Sequence, residues 1–228
     1  KSLMDVYSHR YEEEKMAIII MELIGKENEN LFYPNFSGVA QSYNYYPVSY
    51  MKRDEGVVFL ALGLGKTIVD GEKSLRFSSK HPNIFPQYYS IKSTINNSQN
   101  KFYSLKMNDG ESPISFGESK NLILSDLSVA EKQGNLKHVA SIVSNDDNII
   151  RDSLSVKGVR VITFANILKY NRLPLVKMID TIMSVGKNAL GCPVEIEFAV
   201  NLNTNKPDEF YLLQIKPMVI GSKDKNLK

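Results

Sequence analysis

Apolar and polar residues alternate most regularly near the end of the chain. Val194-Glu195-Ile196-Glu197-Phe198-Ala199-Val200 and Phe210-Tyr211-Leu212-Leu213-Gln214-Ile215-Lys216-Pro217 read as two strands joined by a polar, turn-rich link over residues 201–209. A period of two is the signature of a half-buried strand. Residues 16–24 and 56–62 are instead continuous apolar runs rich in β-branched side chains, the pattern of buried strands. Short strands are expected over 121–124 and 158–164, a helical turn over 128–133, and a strand or short helix over 136–144. Beyond Pro174, Leu175, Val176, Ile179, Ile182 and Met183 recur at helical spacing, with Lys177, Asp180, Thr181 and Ser184 opposite. Pro174 suits the first turn of that helix and Gly186 its end. The polar segment 8–15 is expected to lead into the first apolar run. Residues 90–119, rich in Ser and Asn and without periodicity, read as exposed strands and loops.

Composition narrows the class. With 228 residues, 43% hydrophobic and 23% charged, the chain can build a sizeable soluble core. A net charge of only +3 gives no bulk electrostatic case for nucleic acid or a membrane surface, so neither is expected as a partner. No apolar run reaches spanning length, and the first residues lack a signal-peptide core. Cys192 is the single cysteine, so no disulfide forms within the chain, and a cytoplasmic, reducing setting is expected. His9, His81 and His138 are too scattered for a histidine-based zinc site. The chain begins on Lys1 with a charged segment and is read as a piece of a longer protein.

The chemistry concentrates in the closing hairpin. Glu195 and Glu197 share a strand face, and Gln214 and Lys216 on the next strand can point into the same cleft. Oxygen ligands beside a cation suit Mg²⁺ and a nucleoside triphosphate. A plain half-buried hairpin explains the alternation equally well. Gly63-Leu64-Gly65-Lys66-Thr67 looks like a P-loop but fails, because Leu60 stands where the first glycine belongs. Gly63 and Gly65 could bring backbone N–H groups to a ligand or simply make a tight turn. The tyrosines at 43, 45 and 46 could stack bases, yet only Lys52 and Arg53 flank them, which favours the edge of an aromatic core.

Four segments, in order, resemble the ATP-grasp nucleotide-binding domain of the phosphoenolpyruvate synthase and pyruvate phosphate dikinase family. Ile18-Ile19-Ile20-Met21-Glu22-Leu23-Ile24 is similar to its V-x-V-Q-x-M-V strand, and Phe36-Ser37-Gly38-Val39-Ala40 to its S-G-V-x-F strand. Leu62-Gly63-Leu64-Gly65-Lys66-Thr67-Ile68-Val69-Asp70-Gly71 is similar to G-L-G-E-x-V-V-x-G, and the closing hairpin to D-I-E-W … L-Y-I-L-Q-x-R-P. Residues 90–171 match none of these and are a candidate family-specific insertion. The resemblance implies an α+β, ATP-grasp-like subdomain with a largely antiparallel sheet and packed helices, spanning residues 1–228 as part of a longer enzyme. It implies Mg²⁺ on Glu197 and Gln214, a phosphate-facing catalytic cation at Lys216, and adenine framed by Met21, Glu22 and Leu23, with Gly63 and Gly65 near the ligand. The parent would be a phosphotransferase carrying a phosphoryl group from ATP to a histidine on another domain and then to pyruvate, with phosphoenolpyruvate handled by those other domains. The chain alone is not expected to complete that reaction. Two departures, Lys66 for the family's Glu and Lys216 for its Arg, open an alternative: a non-catalytic or regulatory nucleotide-binding or interaction module.

Overall fold

The computed structural model describes Lys15 and residues 17–107, 121–145 and 147–218. β1 (Lys26–Asn28) and β2 (Leu31–Tyr33) form a hairpin, and β3 (Phe36–Gln41) follows. β4 (Val57–Ala61) leads into α1 (Lys66–Val69), and β5 (Leu75–Phe77) returns. Next come α2 (Ile91–Asn97), β6 (Lys101–Lys106), β7 (Leu122–Asp126), α3 (Leu127–Lys132), β8 (Ala140–Ser144), β9 (Ile150–Arg151) and β10 (Gly158–Ile162). α4 (Ala165–Leu168) and α5 (Leu175–Leu190) deliver the chain to the closing hairpin of β11 (Val194–Asn201) and β12 (Glu209–Pro217). Among the described residues three sheets form, ordered β12-β11-β3-β4-β5, β1-β2-β6-β7 and β10-β8-β9. Every described pairing is antiparallel. This is the α+β, largely antiparallel architecture that the alternation and the family resemblance both imply.

The five-stranded sheet has one face in the core. Ile196, Phe198 and Val200 of β11, Phe36 and Ala40 of β3, and Leu60 of β4 are fully buried there. They join Leu175, Ile179 and Met183 of α5 in one apolar cluster. Apart from Ala40, each such side chain contributes about 1.5–3 kcal/mol on leaving water. Two glycines set the spacing. A Cβ on Gly38 would lie 2.2 Å from the Phe198 ring, and one on Gly186 would lie 2.4 Å from Ile215 Cδ1. Residues 90–171 share this core, because Phe102, Leu127, Leu136, Ile162 and Phe164 belong to the same cluster. Side-chain amides tie the layers together. Tyr33 donates to Gln133 Oε1 at 2.5 Å, Asn135 Nδ2 donates to Asn28 Oδ1 at 2.8 Å, and Asn35 Oδ1 accepts from Leu202 N at 2.7 Å.

Three expectations are corrected. The apolar run 16–24 is not a buried strand: residues 17–24 have no regular structure, and Ile18, Ile19 and Ile20 are 81%, 84% and 92% exposed. Periodicity reports side-chain character, but a strand also needs a partner, and the described pairing begins only at Lys26. Met16 and segment 8–14 lie outside the described residues. Gly186 does not end the long helix. α5 runs to Leu190 and stops at Gly191 in the left-handed region, φ +66°, while Gly186 lets β12 pack closely. Finally, residues 90–119 hold a helix, α2, capped by Ser90, whose side chain accepts from Ser93 N. Its buried positions are Ser93 and Thr94, so apolar periodicity has nothing to register. Residues 108–120 of that stretch lie outside the described ones.

Residues 136–144 are part 3-10 turn, Leu136–His138, and part strand, β8. His138 Nδ1 lies 2.8 Å from Arg172 Nη1 and therefore accepts, which leaves the proton on Nε2. Burial first, and then the Arg172 charge, push its pKa down to about 4 from 6.5. Between those values the unfolded chain binds the proton and the folded one does not. This contribution to stability is therefore present above pH 6.5 and is lost as pH falls towards about 4. Denaturant titrations across that window should show His138→Asn losing less stability on acidification than the parent. At the centre of the sheet, Gly38→Ala should cost about 1–3 kcal/mol by forcing the buried Phe198 ring to move. Its denaturation midpoint should fall with an unchanged slope.

Candidate nucleotide site

The other face of the five-stranded sheet is built by register. Glu195 and Glu197 project away from the core because Ile196 and Phe198 project into it. Directly opposite on β3 stand Gln41 and Val39, and on β12 Lys216 and Gln214. Val39 faces Phe59 on β4, and Phe59 faces Arg76 on β5. One row thus crosses the sheet from Gln214 to Arg76. The β11–β12 register shifts between Glu197 and Phe198, so Leu213 has no opposite residue. That bulge puts Gln214 and Lys216 beside the glutamates, while Leu212 pairs with core-facing Phe198.

A cavity of about 450 Å³ lies between this face, α1 and the turn after it. Val39 and Phe59 form its floor, and Ile68 and Val69 of α1 form an apolar wall. Gln41, Glu195, Glu197 and Lys216 make the polar end, and Glu72 adds a carboxylate from the turn. Lys216 Nζ lies 2.7 Å from Glu195 Oε1 and 3.1 Å from Glu197 Oε1. Gln41 Nε2 donates to the second oxygen of Glu195 at 2.6 Å. Glu195 first, then Glu197, hold the Lys216 ammonium pKa above its ordinary value. A larger open groove, about 700 Å³, runs along the solvent side of α5. It has no comparable meeting of charges: Asp180 and Lys177 stand on a single helix face. The smaller cavity, walled by two elements and with convergent polar groups at one end, is the better candidate site.

The sequence-derived candidates separate into groups. Glu197 and Lys216 meet in the cavity. Gln214 is opposite Glu197 in register but exposed at the rim, outside the lining. Gly63 and Gly65 are not in the lining either. Gly63 adopts φ +81°, and a Cβ there would lie 2.6 Å from Tyr103 O, so the close approach it permits is to β6. Its carbonyl accepts from Ser37 Oγ at 2.8 Å. Gly65 immediately precedes α1 and would have only Ser37 Cβ nearby, at 3.7 Å. Met21, Glu22 and Leu23 lie in the irregular segment outside this cavity, with Met21 60% exposed. The Tyr211 phenol is raised by desolvation, then by Glu209, with a smaller contribution from Glu22. Lys66 ion-pairs with Asp70 at 3.3 Å and lies 5.9 Å from the Tyr103 ring centroid, turned from the cavity.

Gln41 and Phe59 belong to the site although sequence reasoning did not select them. Their signal was strand parity: Gln41 continues the alternation of Ser37 and Val39, at the aromatic position of the S-G-V-x-F pattern. Arg76 closes the row at the far edge. Its guanidinium lies 5.6 Å from the Phe59 ring, and Nη2 donates to Asn44 Oδ1 at 3.1 Å. Burial lowers its pKa.

Among the described residues, no group of three or more His, Cys, Asp or Glu side chains could hold a metal ion. Mg²⁺ does not require one, since it keeps several waters and takes one or two carboxylates. The donor set fits such an ion, with two carboxylates on one face and an amide across the strand. Nor is any helix of the described residues long and apolar enough to cross a membrane.

Residues 5–228 match the AMP/ATP-binding domain of pyruvate phosphate dikinase, and the chain belongs to that family. The chain is thus an ATP-binding domain of the pyruvate phosphate dikinase type. No curated protein matches the chain.

The geometry separates the two loop glycines. Gly63→Ala should cost about 1–3 kcal/mol from left-handed strain and the clash with β6. Gly65→Ala, with no positive φ and open space, should change stability little. Paired thermal melts check the contrast.

Proposed function

We propose that the cavity between the sheet and α1 binds ATP as part of a phosphoenolpyruvate synthase-like phosphotransferase. In this reading a phosphoryl group passes from ATP to a histidine on another domain and then to pyruvate, yielding phosphoenolpyruvate. The observation that carries the reading is the convergence of Glu195, Glu197 and Lys216 at one end of a cavity whose floor is apolar. Phosphoryl transfer asks a protein mainly for positioning and charge neutralisation. Lys216 faces the phosphates as their cation. Gln41 fixes Glu195, which in turn orients the Lys216 stem. Val39, Phe59 and Ile68 line the apolar half, with Val69 at its exposed rim. Glu197, with Gln214 across the strand, would hold Mg²⁺, which neutralises phosphate charge when bound. The backbone of Met21, Glu22 and Leu23 frames adenine, and Gly63 and Gly65 shape the loop that carries α1. We place the enzyme in the cytoplasm, where a lone, half-buried Cys192 stays reduced.

One observation favours a second reading, a regulatory nucleotide-binding module. Glu72, Glu195 and Glu197 outnumber Lys216 in the lining, and Lys66 is spent on Asp70. A site with this balance is poor at neutralising a triphosphate unaided.

Titration calorimetry with a non-hydrolysable ATP analogue tests the first reading. Binding should require Mg²⁺ and should weaken about tenfold or more in Glu197→Gln, as expected for loss of a charged partner. Binding indifferent to both metal and Glu197 would overturn the site assignment.

A further inference from the structure

The contacts of Lys216 are unequal. Its ammonium is 2.7 Å from Glu195 but 3.1 Å from Glu197. Glu195 is the better buried partner, at 16% side-chain exposure against 32% for Glu197. Its second oxygen is already held by Gln41 at 2.6 Å. Glu195 is therefore a fixed anchor, oriented from β3, and Glu197 is the looser end of the bridge. Among the described residues, Lys216 is also the sole cationic side chain lining the cavity, against three carboxylates. An ammonium on a flexible four-carbon stem is a movable point charge, whereas a guanidinium fork would bind the carboxylates in a fixed plane.

We propose that Lys216 is a built-in counter-ion, seated where a divalent cation would bind Glu197 and displaced from that carboxylate when the metal enters. The inference rests on the nucleotide reading and deepens it. While the cavity is free of ligand, the ammonium neutralises Glu197 and repels an incoming dication. When the metal takes Glu197, Lys216 keeps its contact with Glu195 and turns its remaining N–H donors towards the phosphates. Metal and polyphosphate are then coupled through one side chain: each stabilises the arrangement that the other needs. Gln41 is a positioning residue in this scheme, because it keeps Glu195 aimed at the ammonium throughout.

The test is Mn²⁺ binding to the intact chain without nucleotide, read from the electron paramagnetic resonance signal of free Mn²⁺. Removing a unit charge a few ångströms from a dication should tighten binding about tenfold in Lys216→Met. Lys216→Gln should show the same gain, so that a folding fault in one variant does not decide the result. The gain should vanish in Lys216→Met combined with Glu197→Gln. Equal or weaker Mn²⁺ binding in both single variants would overturn the proposal, as would a gain that survives loss of Glu197. Undetectable Mn²⁺ binding in every variant would overturn it too. Calorimetry with the ATP analogue separates this from the parent reading. If Mg²⁺-dependent analogue binding persists in the unmodified chain while Lys216→Met leaves Mn²⁺ affinity unchanged, the counter-ion role fails and the nucleotide site stands.

Discussion

β11 lies between β12 and β3 in the five-stranded sheet, and its register determines what each face of that sheet can do. Phe198 stands opposite Gly38, where only the absence of a Cβ leaves room for its ring. The same ring stacks on Phe210, with centroids 5.0 Å apart. With Phe198 locked into the core, Glu195 and Glu197 can emerge only on the opposite face. A slip of one residue would bury both carboxylates under α5 and expose Ile196 and Phe198. The core contact and the charge constellation are therefore two consequences of one pairing, and the site cannot move without unpacking the sheet.

The surrounding layers support that arrangement without entering it. Gly63 and Leu64 dock on β6, where Leu64 N donates to Tyr103 O at 3.0 Å. This contact fixes the base of α1, and through it Ile68 and Val69 become the apolar wall. The amides of Asn28, Gln133 and Asn135, together with Tyr33, join the β1–β2 hairpin to α3 and its following loop. Gln133 and Asn135, which lie outside the four family-like segments, thus help hold the β1–β2 hairpin in place. Lys66, a reversed charge by the family pattern, is neutralised by Asp70 one helical turn away and leaves the cavity's electrostatics to Glu72, Glu195, Glu197 and Lys216.

The closing hairpin was legible because both of its faces matter: one needs apolar residues and the other polar, and that demand writes alternation into the chain. Even its bulge left a mark, in the doubled Leu212-Leu213 that interrupts the alternation. α5 was legible for the same reason at helical period, apart from its end, where Gly186 serves packing and Gly191 serves termination. Other elements were hidden by physics that sequence periodicity does not record. α2 buries hydroxyls that bond to its own backbone and to the preceding turn, as with Thr94 Oγ1 to Ser90 O and Ser93 Oγ to Gln87 O. Residues 17–24 have the composition of a core strand and no partner among the described residues. Of the candidate site, Glu197 and Lys216 were picked out by alternation and the family pattern, while Gln214 sits outside the lining, and cross-strand register was needed to bring in Gln41 and Phe59. The Gly63-Leu64-Gly65 loop resembles a ligand-binding turn, yet its positive φ is explained by the approach of β6.

Methyl-resolved NMR of isoleucine and valine side chains, with and without the Mg²⁺ complex of a non-hydrolysable ATP analogue, addresses the account most directly. Val39, Ile68 and Val69 line the cavity, while Val176 and Val185 line the open groove on α5. The account requires ligand-dependent shifts at the first three and none at the last two. Shifts confined to Val176 and Val185, or none at Val39, Ile68 and Val69 under conditions where the analogue binds, would contradict it.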